Sequence, residues 1–382
     1  MTDTVAPVPE QGRRPSLDSL TGLRFLAAAA VVVSHFSETG LAPVGHGVVG
    51  FLDGGRTAVS LFFVLSGFVL AYNYPALAGR VPRWNFAVAR IARIYPVVLL
   101  GVVLGAVGMV HAWSRPTILL SWFALPSPDP AALWASFVAQ LSMTTGWLPF
   151  ASLNQPWNGP AWSISCEVFF YALFPVLIVW FRRWSPRTVL AVAVGAWVVQ
   201  GLWILALLEW LPASRSGFLT VQFPLTHLTE FVLGIAAWRL WSSAPAIDRR
   251  VRVAALLATL AGLAVLALLA PTEPAYWPMA PLFAVLVALL ASSGGRRRSW
   301  LALPVMLLLG EASYSLYLLH FPLIRIYQIA GVTPGIAGWI AMGMTVVLSV
   351  VVFRWYETPL RRAIRRRLRR DETAPVPAPD PR

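Results

Sequence analysis

The chain has no lysine and a single cysteine, Cys166, among 382 residues. One thiol excludes an internal disulfide and a cysteine-based zinc cluster. Charge of either sign is scarce. Only 12% of residues are charged, about half of the roughly 25% usual in soluble domains. Histidine is rare too: His35, His46, His111, His227 and His320 show no HxxxH or HExxH spacing, so no metal site is expected. There is no repeat of fixed period and no alternating strand pattern. What fills the sequence is hydrocarbon, with 58% of residues in the set AVILMFWYC and bilayer-length apolar runs along the whole chain. The expected fold is all-α: a polytopic transmembrane helical bundle.

The net charge of +14 comes from arginine alone. In a soluble protein that excess would raise nucleic acid as a partner. Here the arginines fall in short connections between apolar runs, as membrane anchors do, so the partner is the lipid bilayer and no nucleic acid.

Ten spans are expected, at approximately 20–38, 56–74, 95–113, 161–181, 187–210, 223–241, 252–270, 278–293, 303–329 and 336–355. With the N-terminus inside, the inner connections carry Arg80, Arg83, Arg90, Arg93, Arg182, Arg183, Arg187, Arg249, Arg250, Arg252 and the run Arg296-Arg297-Arg298. The sequence RRAIRRRLRR at 361–370 extends the same side, whereas the outer connections hold Arg56, Arg115 and Arg215. That asymmetry puts both termini in the cytoplasm and the span number at an even value. Residues 1–19, rich in proline and polar groups, read as a disordered cytoplasmic leader. Arg13-Arg14 before an apolar run resembles a signal peptide, but Arg24 interrupts that run and no small-residue cleavage site follows. Residues 20–360 form the membrane domain, and 361–382 a basic, then proline-rich cytoplasmic tail. The longest connection, 114–160, carries Trp122, Trp134, Trp147 and Trp157. It is read as an interfacial or re-entrant segment in preference to a set of sugar-stacking platforms.

Four groups of residues carry candidate chemistry. Arg24 and His35 lie eleven residues apart in TGLRFLAAAAVVVSHF. In a helix that spacing returns to within about 20° and climbs about 16 Å, so both share one face. Ionisable residues inside a span mark function, and this pair suits a long anionic ligand lying along the helix. The imidazole is suited to taking a proton from a hydroxyl. Arg90 and Arg93, at i and i+3, fit either bidentate phosphate contacts or a simple membrane anchor. Ser163, Glu167 and Tyr171 repeat every four residues on one face. Glu167 must be paired, hydrated or protonated there, and is available to orient His35 or Arg24 or to place an acceptor. Cys166 beside it reads as a small packing residue. Ser313, Tyr317 and His320 cluster on one face of the ninth run, with Glu311 on the other side. Pro322 frees the carbonyl of Leu318 and leaves a polar spot in that helix. Ser66-Gly67 permits close helix approach, and Glu357 fits an ion pair beside the basic tail. Buried Arg, His and Glu suit a group-transfer enzyme or a transporter, although no inverted repeat supports transport.

LTGLRFLAAAAVVVSH, SLFFVLSGF, ARIARIYP, NGPAWSISCEVFFY, EFVLG, LGEASYSLYLLH and YETP occur in this order between about 18 and 360. Together they resemble the acyltransferase 3 family of integral membrane O-acyltransferases. The resemblance implies about ten spans and an acyl-CoA donor, usually acetyl-CoA, reached from the cytoplasm, with no permanently bound cofactor. It maps the family's required Arg and His onto Arg24 and His35, its paired arginines onto Arg90 and Arg93, and its tyrosine-rich motif onto Tyr314, Tyr317 and His320. One departure stands out: His227 occupies the arginine position of P-x-x-R-x-x-E-F-x-x-G, three residues after Pro224 and three before Glu230. The extra soluble domain of some relatives has no counterpart in the sequence.

The expectation is a multi-pass plasma-membrane enzyme moving an acyl group from acyl-CoA to a hydroxyl. Arg24, Arg90 and Arg93 would hold the donor, His35 would act as base, and His320, Tyr317 and Glu167 would orient base or acceptor. The acceptor is expected to be a cell-surface or lipid-linked carbohydrate, with a diffusible glycosylated metabolite such as a macrolide as the alternative.

Overall fold

A computed structural model describes residues 16–44, 55–77, 79–245, 247–269, 276–292 and 299–370. The described residues are helical and contain no strand, in keeping with the hydropathy pattern. The helices are α1 (Asp18–Glu38), α2 (Arg56–Asn73), α3 (Arg80–Ala112), α4 (Pro116–Phe123) and α5 (Pro130–Leu141). There follow α6 (Ala151–Asn154), α7 (Trp162–Arg183), α8 (Pro186–Trp210), α9 (Ala213–Val221) and α10 (Leu228–Ser243). The last five are α11 (Arg249–Leu269), α12 (Tyr276–Ala291), α13 (Pro304–Ile329), α14 (Ile336–Val352) and α15 (Thr358–Leu368).

Among the described residues, eight helices are long and apolar enough to cross a bilayer, and α10 and α12 are shorter members of the same bundle. Most boundaries fall within a few residues of the apolar runs. The largest departure is α3, expected from 95 and observed from Arg80. Its 33 residues exceed the hydrocarbon thickness, so its arginine-bearing first turns project beyond the apolar slab. The other departure is the sixth run, where α9 ends at Val221 and a polar break at 222–227 separates it from α10. The leader expected over 1–19 and the tail beyond 370 fall mainly outside the described residues, as do His46 and Arg296–Arg298.

Burial sorts the helices into an inner and an outer set. α13 buries 72% of its most apolar stretch, packed by α1, α3 and α14, whereas α11 buries 11% and presents its hydrocarbon outward. α2 and α10 cross at a reciprocal glycine contact. A Cβ on Gly67 would lie 2.1 Å from the carbonyl oxygen of Phe231, and one on Gly234 would lie 2.1 Å from that of Val64. Only glycine permits so close a backbone approach. This crossing sets Ser66, Val59 and Phe63 of α2 against the centre of the bundle, where the polar groups collect.

Pro322 sits inside α13, and the carbonyl it frees, that of Leu318, accepts a 2.8 Å hydrogen bond from the Nδ2–H of buried Asn158. An orphaned carbonyl in the core is thereby converted into a tie between α13 and the turn preceding α7. The same segment of α13 carries Tyr314, Tyr317 and His320.

Candidate active site

Two cavities lie back to back along α1. The first, about 200 Å³, is lined by Arg24 of α1, Arg90 and Arg93 of α3, Glu167 and Tyr171 of α7, and Ser313, Tyr314 and Tyr317 of α13. The second, about 190 Å³, is lined by His35, Glu38, Arg56, Gln155, Trp162, Gln222, Tyr317 and Phe321, among others. Val59 and Tyr317 lie on the walls of both, so these two side chains form the septum between them. Arg24 and His35, on one face of one helix, thus open into two adjoining chambers, not one.

The first chamber is a basic hole. Three guanidiniums and one carboxylate line it, and Glu167 is already engaged by the Tyr171 hydroxyl at 2.8 Å. None of the three arginines is in an ion pair among the described residues. Arg90 is held by aromatic faces instead, with its guanidinium 5.5 Å from the Tyr74 ring centre and 5.7 Å from those of Phe86 and Tyr171. Its Nε is buried without a hydrogen-bond partner among the described residues. Arg93 lies over the ring of Tyr314 at 5.8 Å. Cation–π contacts fix orientation without cancelling charge. Uncompensated positive charge in a desolvated site suits an anionic ligand.

A histidine pair backs the second chamber, with His35 on its wall and His320 behind it. Nδ1 of His35 is 2.9 Å from Nε2 of His320, and Nδ1 of His320 is 2.6 Å from the carbonyl oxygen of Tyr317. A carbonyl only accepts, so Nδ1 of His320 carries its proton. In the neutral ring, Nε2 of His320 is then an acceptor, and the Nδ1–H of His35 donates to it. That fixes the His35 tautomer with a lone pair on Nε2, the arrangement a general base needs. The two rings stack at 5.0 Å between centres and the edge of Phe321 closes a third side at 5.5 Å. His320 is fully buried and lines neither chamber, so it reaches chemistry only through His35.

The septum is held by hydrogen bonds. Ser163 donates to the Tyr317 hydroxyl at 2.8 Å, and that hydroxyl donates to the carbonyl of Pro160 at 3.1 Å. The Pro160 carbonyl belongs to the turn entering α7, so α7 and α13 are latched at the septum.

The structure brings His35, His320 and Tyr317 together at one end of this track, and Arg24, Arg90, Arg93 and Glu167 at the other. Glu167 shares the basic chamber and does not line the histidine chamber. Cys166 is buried, lines neither chamber, and directs its S–H to the carbonyl of Gln222 at 3.7 Å. Trp122, Trp134, Trp147 and Trp157 are likewise absent from both linings among the described residues, and the chamber tryptophan is Trp162. The His227 exchange keeps a partner for the carboxylate: His227 Nδ1 is 3.1 Å from Glu230 Oε1.

Three residues near the base escaped sequence reading. Gln155 and Gln222 lie in irregular segments where no periodicity marks them. Arg325 follows His320 by five residues in an apolar run and was detectable as an intramembrane cation. Its guanidinium lies 4.9 Å from the Phe321 ring centre and 4.7 Å from that of Trp122, which sets a positive charge behind the ring that contacts His35.

A larger cavity of about 1260 Å³ lies among α8, α10, α11 and α12, with almost wholly apolar walls. It lacks the convergent polar groups that define a reactive site, so volume does not locate the chemistry here.

Comparison with known proteins identifies the family. The pattern of the acyltransferase domain family matches residues 17–355. The acyltransferase MdmB of Streptomyces mycarofaciens is 29% identical over 95% of this chain and 96% of its own length. The O-acetyltransferase OatA of Staphylococcus aureus is 24% identical over 91% of this chain, which spans 57% of that longer protein. No solved structure matches the chain. Membership settles the choice between transfer and transport that buried charge alone left open. The chain belongs to the acyltransferase domain family, and is a multi-pass membrane enzyme that transfers acyl groups.

Proposed function

We propose that the enzyme takes its acyl group from acyl-CoA, acetyl-CoA foremost, and transfers it to a hydroxyl of a cell-surface or lipid-linked carbohydrate. The observation that carries this reading is the juxtaposition of a basic chamber and a histidine-pair chamber across one septum. Each chamber is smaller than the roughly 300–1,000 Å³ of a typical small-molecule site, so each takes only part of a long ligand. Arg24, Arg90 and Arg93 suit the phosphates of the donor. The climb of about 16 Å from Arg24 to His35 suits its thioester-bearing arm. The name of OatA supports an acetyl group and an oxygen acceptor. The arginine asymmetry supports cytoplasmic termini, an even number of spans and donor loading from the cytoplasmic side.

In the reaction, Nε2 of His35 takes the proton of the acceptor hydroxyl as its oxygen attacks the thioester carbonyl carbon. The tetrahedral intermediate collapses with cleavage of the carbon–sulfur bond. The thiolate leaves and recovers the proton from His35, giving an ester and free CoA. His320 holds the base in its productive tautomer, and Tyr317 with Val59 gives way for the arm to pass. Purified protein supplied with acetyl-CoA and a candidate acceptor should release free thiol, and inactivating the gene should remove an ester from the envelope glycan. Loss of an ester from a secreted glycosylated compound instead would reassign the acceptor. Absence of thiol release would refute the donor.

A further inference from the structure

One wall of the histidine chamber, formed by Val221 and Gln222, is built in an unusual way. α9 ends at Val221, and a helix end leaves its last carbonyls without helical partners. Here four consecutive carbonyls are each met by a side chain from elsewhere. The Thr226 hydroxyl donates to Leu219 at 2.7 Å, the Tyr276 hydroxyl donates to Thr220, His227 Nε2–H donates to Val221 at 2.9 Å, and the Cys166 thiol meets Gln222 at 3.7 Å. These caps come from the 222–227 break, α12 and α7, and they hold 219–222 rigidly.

His227 is the centre of that support. One nitrogen faces the Val221 carbonyl and the other faces Oε1 of Glu230, so both must be bridged by protons. Glu230 is fully buried and its second oxygen accepts from Gln200 at 2.9 Å. The rings of Phe63, Trp162 and Tyr276 enclose His227 at 5.3, 5.6 and 5.1 Å between centres. Trp162 also lines the chamber.

The support fixes one chamber-lining polar side chain, Gln222. Its Oε1 is buried and has no hydrogen-bond partner among the described residues. A buried acceptor left unmade is costly, and this one wants a donor. A thioester has no proton to give, whereas a hydroxylated acceptor has several. We propose that Gln222 is an acceptor-binding residue that takes a hydrogen bond from a hydroxyl neighbouring the one acylated, and that the chamber thereby prefers polyols such as sugar rings to simple alcohols. His227 and Glu230 are positioning residues for it. This rests on the reading of the histidine chamber as the acceptor side, and it names a specificity element which that reading lacks.

The test compares trans-1,2-cyclohexanediol with cyclohexanol as acceptors for purified enzyme and acetyl-CoA, with ester formation followed by mass spectrometry. Two equivalent hydroxyls give the diol a twofold statistical advantage. The wild type should exceed that by about 3- to 10-fold, the size of one net hydrogen bond. Gln222→Ala should bring the ratio down to the statistical value. Gln222→Glu, which keeps an acceptor oxygen, should preserve the preference. A ratio unchanged in Gln222→Ala, or a rise in the KM for acetyl-CoA without a change in the ratio, overturns the proposal. Saturation-transfer NMR of diol binding needs no turnover. If thiol release fails in every protein, the donor reading falls, while weaker diol binding to Gln222→Ala than to wild type still supports the role of Gln222 and equal binding refutes it.

Discussion

At the scale of single residues, the account turns on a division of labour between two ends of α1. His35→Ala should reduce thiol release by about 10²- to 10⁴-fold, the usual span for a general base, in a steady-state assay with saturating donor. Retention of full activity would remove the base. Arg24→Ala should act first on the donor and raise the KM for acetyl-CoA more than it lowers kcat. His320→Ala should lower kcat while leaving the donor KM in place, because His320 lines neither chamber and its side-chain hydrogen bonds, among the described residues, run to the base and to its own helix. The Arg24–His35 register was legible because a helix has a fixed pitch and both residues lie in one uninterrupted run. The His35–His320 contact was not legible as a pair, since 285 residues separate the two and only tertiary packing brings them together. Glu167 shows the same limit from the other direction. Its helical face was readable, but its place among the arginines depends on how α7 docks. Gln222 lay beyond reach for a different reason: the 222–227 break follows no period, and the caps that hold it come from its own break and from α7 and α12.

At the scale of elements, two contacts position the site. The α2–α10 crossing depends on Gly67 and Gly234, where a methyl group would meet backbone at 2.1 Å. Backbone cannot swing aside as a side chain can, so Gly67→Ala should destabilise the protein by about 1–3 kcal/mol, an overpacking penalty. A clear fall in the thermal unfolding midpoint in detergent is the expected result. The small-residue pair Ser66-Gly67 forecast that closeness. Asn158 caps the carbonyl freed by Pro322. Asn158→Ala should cost about 1–3 kcal/mol by the same measurement, the desolvation penalty of a buried acceptor left alone. The freed carbonyl was readable from proline chemistry, but its partner 160 residues away was not. Element boundaries followed the apolar runs closely except in the sixth run, whose start the 222–227 break displaces, and in α3, where the projecting, arginine-bearing turns carry too little hydrocarbon to register as part of a span.

At the scale of the whole molecule, charge sets orientation. One end of the bundle carries Arg80, Arg83, Arg182, Arg183 and the basic helix α15. α15 is tied to α3 by the Trp84 indole N–H donating to the Leu368 carbonyl at 2.7 Å, and by Arg370 over the Trp84 ring at 4.5 Å. Buried Glu357 joins it to the core through Ser315 at 2.7 Å and Arg361 at 3.6 Å. If this end faces the cytoplasm, a cysteine introduced at Arg115 should react with a membrane-impermeant maleimide in intact cells, and one at Arg183 only after permeabilisation. The native Cys166 is buried and should stay silent, which makes the chain a ready background for such labelling. The reverse pattern would put the donor's chamber on the outside and break the proposed loading route.

The most direct measurement is a structure of the enzyme with a non-reactive acetyl-CoA analogue in which a methylene replaces the thioester sulfur. The account predicts phosphates against Arg24, Arg90 and Arg93, the arm passing between Val59 and Tyr317, and the acetyl carbonyl beside Nε2 of His35. An analogue seated in the large apolar cleft, or entering from the histidine side with its phosphates away from those arginines, would contradict it.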